Sequence, residues 1–222
     1  MDARESLFLT EAQRHVASGR SLDALVFVFD DGDGVRIEED AGGLTRLCHA
    51  ACRGWCAAIK SLLKQGANVH VGRPRHGSTP LHATAWRGHL DAAVLLLGAD
   101  ARVNDRNSHG QTALHFAAAD GRIDMCKLLL SRGASLDARD NDGEDPEAYA
   151  RLHDRTATAD LLAAVRAAGG WRPYCTAQFL ELRRELRAPG AVAESSERLY
   201  ERVFVELPNA VFPRVLAFRP DF

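Results

Sequence analysis

Between residues 41 and 170 the apolar positions fall into short helical runs that come in pairs. A run rich in small residues, such as "TPLHATAWRGH" from Thr79, is followed by a run with leucines on one face and a turn, such as "AAVLLLGADARV". Apolar residues spaced three and four apart share one side of a helix. The first phrase returns 33 residues later as "TALHFAAADGR" from Thr112, and it stands 34 residues earlier as "TRLCHAACRGW" from Thr45. One more step of 33 falls on Asp145, in "DPEAYARLHDR". The second phrase recurs in step as "AAIKSLLKQGANV", "MCKLLLSRGASL" and, more loosely, "TADLLAAVRAAGG". A period of this length predicts stacked helix-turn-helix units, none of which buries both of its faces alone.

The punctuation agrees with the pattern. Thr79 and Thr112 stand where a side-chain oxygen serves the free amides of a helix start, and Pro80 occupies a first turn, where a missing N–H costs nothing. Ala83, Ala85, Ala117 and Ala118 keep the first helix thin, and Leu95, Leu96, Leu128 and Leu129 supply the buried face of the second. Gly66 and Gly133 predict left-handed caps after the second helix. Asp100 holds that register in the middle unit, where a slightly strained but intact turn is expected.

The T-P-L-H box, the Gly-His that closes the first helix, the L-L-x-x-G-A that ends the second and the period together resemble the ankyrin repeat. The resemblance covers about 41–170 and implies an all-α solenoid of helix-turn-helix units with finger loops. The units are expected at about 41–74, 75–107 and 108–140, with a capping unit at 141–170, a degenerate N-terminal capping unit with an acidic loop at 1–40 and a helical extension at 171–222. Glu147, standing where the box leucine would be, and "RLHDRTATAD", which breaks the Gly-His pattern, mark the cap. The resemblance also implies that His82 and His115 bridge backbone and threonine groups of neighbouring loops, so these histidines are expected to be structural.

Composition changes this picture little. At 46% apolar the chain has enough material for one or two modest cores, and a net charge of −2 gives no bulk attraction to nucleic acid or to an anionic membrane. The start "MDARESLFLT" has no basic region followed by an apolar one, and runs such as "ALVFVF" are far shorter than the roughly 20 residues of a membrane helix. Five cysteines, an odd set without a small secreted framework, favour reduced thiols. The expectation is a soluble monomer of cytosol or nucleus.

Candidate chemistry falls away on spacing. With Asp31 at the first position of a calcium loop, Asp33 fits the third, but Val35 falls on the fifth and Arg36 on the glycine position. A solvated acidic loop is expected instead. Cys48, Cys52 and Cys56 step by four beside His49, yet they fall at the box position, the end of the first helix and beyond the Gly54 turn, so they are expected not to converge on a metal. No paired carboxylates, nucleophile elbow or phosphate-cradling loop is present, and no cofactor or catalytic activity is expected.

Function is therefore sought in binding. The resemblance implies that the residues before each box, after the box histidine, before the turn glycine and at the finger tips project into one concave groove. Here these are Arg73, Arg75, His76 and Ser78, then Trp86 and Arg87, then Arg106, Asn107, His109 and Gln111, then Phe116, Ala119 and Asp120. Arg73, Arg75, Arg102 and Arg106 make the central fingers basic, while "DDGDGVRIEED" and "DARDNDGEDPE" make the end fingers acidic. Trp86 and Arg87 are of the residue types that dominate interface energetics. The expected partner is a protein with an acidic segment, bound across Arg75, Trp86, Arg87 and Arg106. In the alternative reading Trp86 covers a neighbouring unit and the arginines are only solvated. "LLGADARVN" also resembles a context hydroxylated in some ankyrin fingers, which makes Asn104 either a modification site or a plain finger residue.

After "AAGGWRP" the period stops. "AQFLELRRELR" spaces Phe179, Leu182, Arg183 and Leu186 as an amphipathic helix, "APGAVAE" breaks it, and "SSERLYERVFVEL" restarts it from a serine cap at Ser195 or Ser196. This layout, with Leu207-Pro208 and a last short helix, resembles a SOCS box, and "LPNAVFPRVLAF" is similar to the opening of an F-box. Arg184 stands where the SOCS box has cysteine, and Ala210 where it has a second proline. The resemblance implies recruitment of ubiquitin-ligase subunits, elongin or cullin, by a substrate adaptor. The alternative is a helical cap on the solenoid.

Overall fold

Four helix pairs repeat along the chain in the computed structural model, which describes residues 3–17, 26–29, 35–38, 45–72 and 76–187. A leading helix, α1 (Ala3–Ala17), and two short strands, β1 (Val26–Phe29) and β2 (Val35–Glu38), precede them. The pairs are α2 (Arg46–Arg53) with α3 (Cys56–Lys64), α4 (Pro80–Arg87) with α5 (Leu90–Gly98), α6 (Ala113–Ala119) with α7 (Ile123–Ser131), and α8 (Pro146–Leu152) with α9 (Thr156–Ala167). A last helix, α10 (Trp171–Arg187), follows. First helices pack side by side in the order α2, α4, α6, α8, and second helices behind them in the order α3, α5, α7, α9. The described residues thus form two helical layers that advance one pair at a time.

Each layer is built as its sequence requires. Ala85, Ala117 and Ala118 are fully buried, so adjacent inner helices approach closely, while Leu96 and Leu129 fill the space between the layers. Leu95 and Leu128, expected beside them, are only partly buried. The turn after the outer helix is left-handed at Gly66, Gly133 and Asp100, with φ of 86°, 87° and 63°. Asp100 thus adopts a conformation that costs most side chains about 1 kcal/mol or more.

The leading segment departs from the expected loop. β1 and β2 pair antiparallel, Val26 opposite Glu38 and Phe29 opposite Val35, and β1 lies against α2. The stretch read as a solvated acidic loop therefore includes a strand over Val35–Glu38; Asp31 and Asp33 lie outside the described residues. Helix α1 packs on α3 and so continues the outer layer. Phe8 is fully buried, its ring 5.9 Å from His49 and 5.5 Å from Trp55. Glu5 accepts a hydrogen bond from the Ala58 amide at 3.0 Å, and so satisfies a free N–H in the first turn of α3.

At the other end Glu147 is buried where the box leucine would sit, which an apolar site would not tolerate without a partner. Arg166 of α9 supplies it, bonding Glu147, Asp145 at 2.9 Å and the Leu136 carbonyl at 3.2 Å, and Arg151 pairs with Glu147 at 2.5 Å. Helix α10 begins at Trp171, earlier than "AQFLELRRELR" suggests, because Pro173 sits in its first turn, where no donor is needed. Trp171 and Cys175 are buried, and α10 packs against α9 and α7. The remaining tail, with Ser195, Ser196, Phe204 and the Leu207-Pro208 pair on which the SOCS-box and F-box resemblances rest, lies outside the described residues. So do the side chains of Phe179, Leu182, Arg183 and Leu186.

Candidate functional site

The box histidines are consumed by the stack. Nδ1 of His82 accepts the Thr79 amide at 3.1 Å and the Thr79 hydroxyl at 2.8 Å, and its Nε2–H donates across to the Gln111 carbonyl at 3.1 Å. His115 repeats this with Thr112 at 3.0 and 2.9 Å and with the Glu144 carbonyl at 3.2 Å. A backbone N–H bonded to Nδ1 leaves only the Nε2–H tautomer, uncharged. Burial lowers the pKa of both rings and outweighs the carbonyl bonds that would raise it. The threonine hydroxyls therefore turn to histidine. At Thr45 the hydroxyl takes the helix amide, that of Cys48, at 3.1 Å. Cys48 holds the box register there, and its thiol points at the equivalent carbonyl, Ser78, at 3.8 Å, and at Val71 at 3.7 Å.

The fingers are tied in the same unit-to-unit way. Ser108 donates its amide to the His76 carbonyl and Asn141 donates its own to that of His109, both at 2.9 Å. Within the second finger Asn107 accepts the amides of His109 at 3.0 Å and Gln111 at 2.9 Å. Its Nδ2 donates to Gln111 at 3.0 Å, Gln111 donates to the Tyr149 hydroxyl at 2.6 Å, and that hydroxyl donates to Asp140 at 2.6 Å. This chain of bonds holds the finger bases rigidly against the inner helices.

Between fingers and inner helices lies a pocket of about 270 Å³. Seven of the residues singled out in the sequence line it: His76, Ser78, Trp86, Asn107, His109, Gln111 and Phe116. Trp86 is 44% exposed, and Phe116 meets His82 edge-on at 5.7 Å. The exposed rings of His76 and His109 stack at 6.3 Å at the finger tips. Arg87 does not line the pocket; its guanidinium lies 4.3 Å over the Trp86 ring, a cation–π contact. Arg106 is exposed on the finger, against Gly110. Ala119 and Asp120 lie at the end of α6, outside the lining, and Arg73 and Arg75 lie outside the described residues.

Cys48, Cys52, His82 and Ala83 also line the pocket, and sequence reasoning did not place them there. The signal was the step of four between Cys48 and Cys52, which puts both on one face of α2, the face that His82 and Trp86 occupy one unit later. Two of the three cysteines thus share a site after all, while Cys56 opens α3 outside it. Among the described residues no group of three or more His, Cys, Asp and Glu side chains is arranged to hold a metal ion. No helix among them is long and apolar enough to cross a membrane.

The local charge is set by which groups are already paired. Asp120 is held by Arg122 at 2.6 Å and Asp105 faces His70 at 3.8 Å. Arg87, Arg102 and Arg106 are exposed and have no carboxylate partner among the described residues. Asn104, the candidate modification site, donates to the Gly133 carbonyl at 3.0 Å and accepts the Ser135 amide at 2.9 Å, so its side chain bridges two units. A model of the family of ankyrin repeats, in three copies, matches residues 14–107 and 85–168.

Proposed function

Because the chain belongs to the ankyrin-repeat family, a scaffold for contact between proteins, we propose that it is a non-enzymatic module that binds a partner protein in the groove between its fingers and inner helices. One observation carries this reading. Stacking consumes the box histidines and threonines but leaves Trp86 exposed, with Arg87 over its ring, beside a pocket. A large aromatic and an arginine at such a place are the groups that dominate interface energies. The partner presents an acidic segment to Arg87 and Arg106, which lack carboxylates of their own among the described residues. The units at about 41–74, 75–107 and 108–140 form the binding body, with capping units on either side.

The double substitution Trp86→Ala with Arg87→Glu tests it. Both side chains are exposed, so the thermal midpoint should stay close to that of the wild type. Quantitative comparison of the proteins captured by each form from cell extract should show a discrete set lost with the variant. Equal capture by a folded variant removes the groove as the binding site.

A further inference from the structure

The pocket also carries information on what enters it, and this step rests on the groove reading above. At about 270 Å³ it is smaller than the roughly 300–1,000 Å³ clefts that hold drug-sized molecules. It suits one bulky side chain. The buried part of its polar lining is already engaged: both ring nitrogens of His82 are bonded, Gln111 uses both ends of its amide, and the Cys48 thiol faces two carbonyls, while the His76 and His109 rings stand exposed at the finger tips. A polar group reaching past the finger tips to His82 and Cys48 would lose water without gaining a partner from them, whereas an apolar one meets Trp86, Phe116 and Ala83.

The helix register extends the argument along the groove. Cys52, Trp86, Ala119 and Leu152 hold the same place on successive inner helices, and Leu152 is 74% exposed. Ala119 leaves an open step between the two large side chains. Packed helices lie about 8–10 Å apart, so Trp86 and Leu152 are separated by two such steps, roughly 16–20 Å. An extended chain, at about 3.3 Å per residue, covers that in about five or six residues.

We propose that the partner segment is an extended peptide with two apolar anchors about five or six residues apart, one in the pocket at Trp86 and Phe116 and one on Leu152, with carboxylates flanking the first anchor and facing Arg87 and Arg106. The charges fit, because neither Arg87 nor Arg106 has a carboxylate partner among the described residues, and Asp105, beside Arg106 in sequence, already faces His70.

Selection of random displayed dodecapeptides on the full chain tests this. Enriched peptides should pair Leu, Phe or Trp at that spacing, with Asp or Glu within about two positions of the first. A synthetic peptide of the enriched sequence should lose affinity about tenfold or more on Trp86→Ala and on Leu152→Ser, and Arg87→Gln should flatten its salt dependence. Peptides that need Trp86 but carry basic or uncharged flanks, or a single anchor, overturn this inference and leave the groove reading standing. Failure to recover any Trp86-dependent peptide overturns both.

Discussion

His82→Ala and His115→Ala should each lower the stability of the chain by about 3 kcal/mol. Each ring is buried, at 2% and 0% exposure, and each joins its own threonine to a carbonyl of the next unit. Alanine leaves a cavity and strands a buried amide, that of Thr79 or Thr112, at about 1–3 kcal/mol per unsatisfied group, some of it recovered by entering water; the carbonyls keep the amides of Asn107 and Asp140. In a stacked array stability is close to a sum of unit and interface contributions, so the loss falls on one interface. Cys48→Ala, at the same register, should cost only about 1 kcal/mol, because the thiol makes long contacts at 3.7 and 3.8 Å. Urea unfolding of the three variants checks the order.

The same bonds predict a pH dependence with a definite sign. The folded rings have pKa values below 6.5, so between that value and the folded values the unfolded chain binds protons that the folded chain refuses. The contribution is fully present above 6.5 and is lost as pH falls through the folded values. The slope reaches about 1.4 kcal/mol per pH unit for each ring. The double variant His82→Ala with His115→Ala should show a correspondingly flatter stability curve as pH falls below 6.5. A curve as steep as that of the wild type would contradict the tautomer assigned to these rings.

Gly54→Ala is expected to cost about 3 kcal/mol by a different mechanism. The residue has φ of 69°, and an added Cβ would stand 2.7 Å from Nδ1 of His89, the ring that donates to the Cys52 carbonyl at 3.1 Å. The strain of the left-handed conformation adds to the displacement of that ring. Asp154 holds the same register in the last unit, with φ of 58°. Asp154 is exposed, and no further helix pair follows α9 among the described residues, so Asp154→Gly should change stability by less than about 1 kcal/mol. Thermal unfolding of both variants measures the contrast. A cost for Gly54→Ala no larger than the ordinary left-handed strain would mean that the units are not seated as closely as described.

What was legible in the sequence was whatever recurs. The Thr–His bridge, the leucine face and the left-handed turns each return every 33 or 34 residues, so one reading fixes several interfaces at once. The pocket residues followed from the same register, and seven of them lie together. The unrepeated contacts were not legible. Phe8 against His49, Glu5 on the Ala58 amide and Arg166 on Glu147 each join partners with no spacing rule between them. Cys48 and Cys52 were set aside as a failed metal cluster, which hid their shared place on the groove wall. Pro173 reads as a boundary in the sequence, yet in the first turn of α10 it is compatible with a helix that continues the packing.

His82 and His115 are neutral bridges between units, with Trp86 and Arg87 exposed on the neighbouring surface. The most direct test is long-range proton–nitrogen correlation at the imidazoles of His82 and His115, followed through a pH titration. Persistence of the Nε2–H form in both rings, with each proton coupled to the Gln111 or Glu144 carbonyl and titration below the range of exposed histidine, is the result expected. Nδ1–H tautomers, or rings that titrate like exposed histidine, would contradict it.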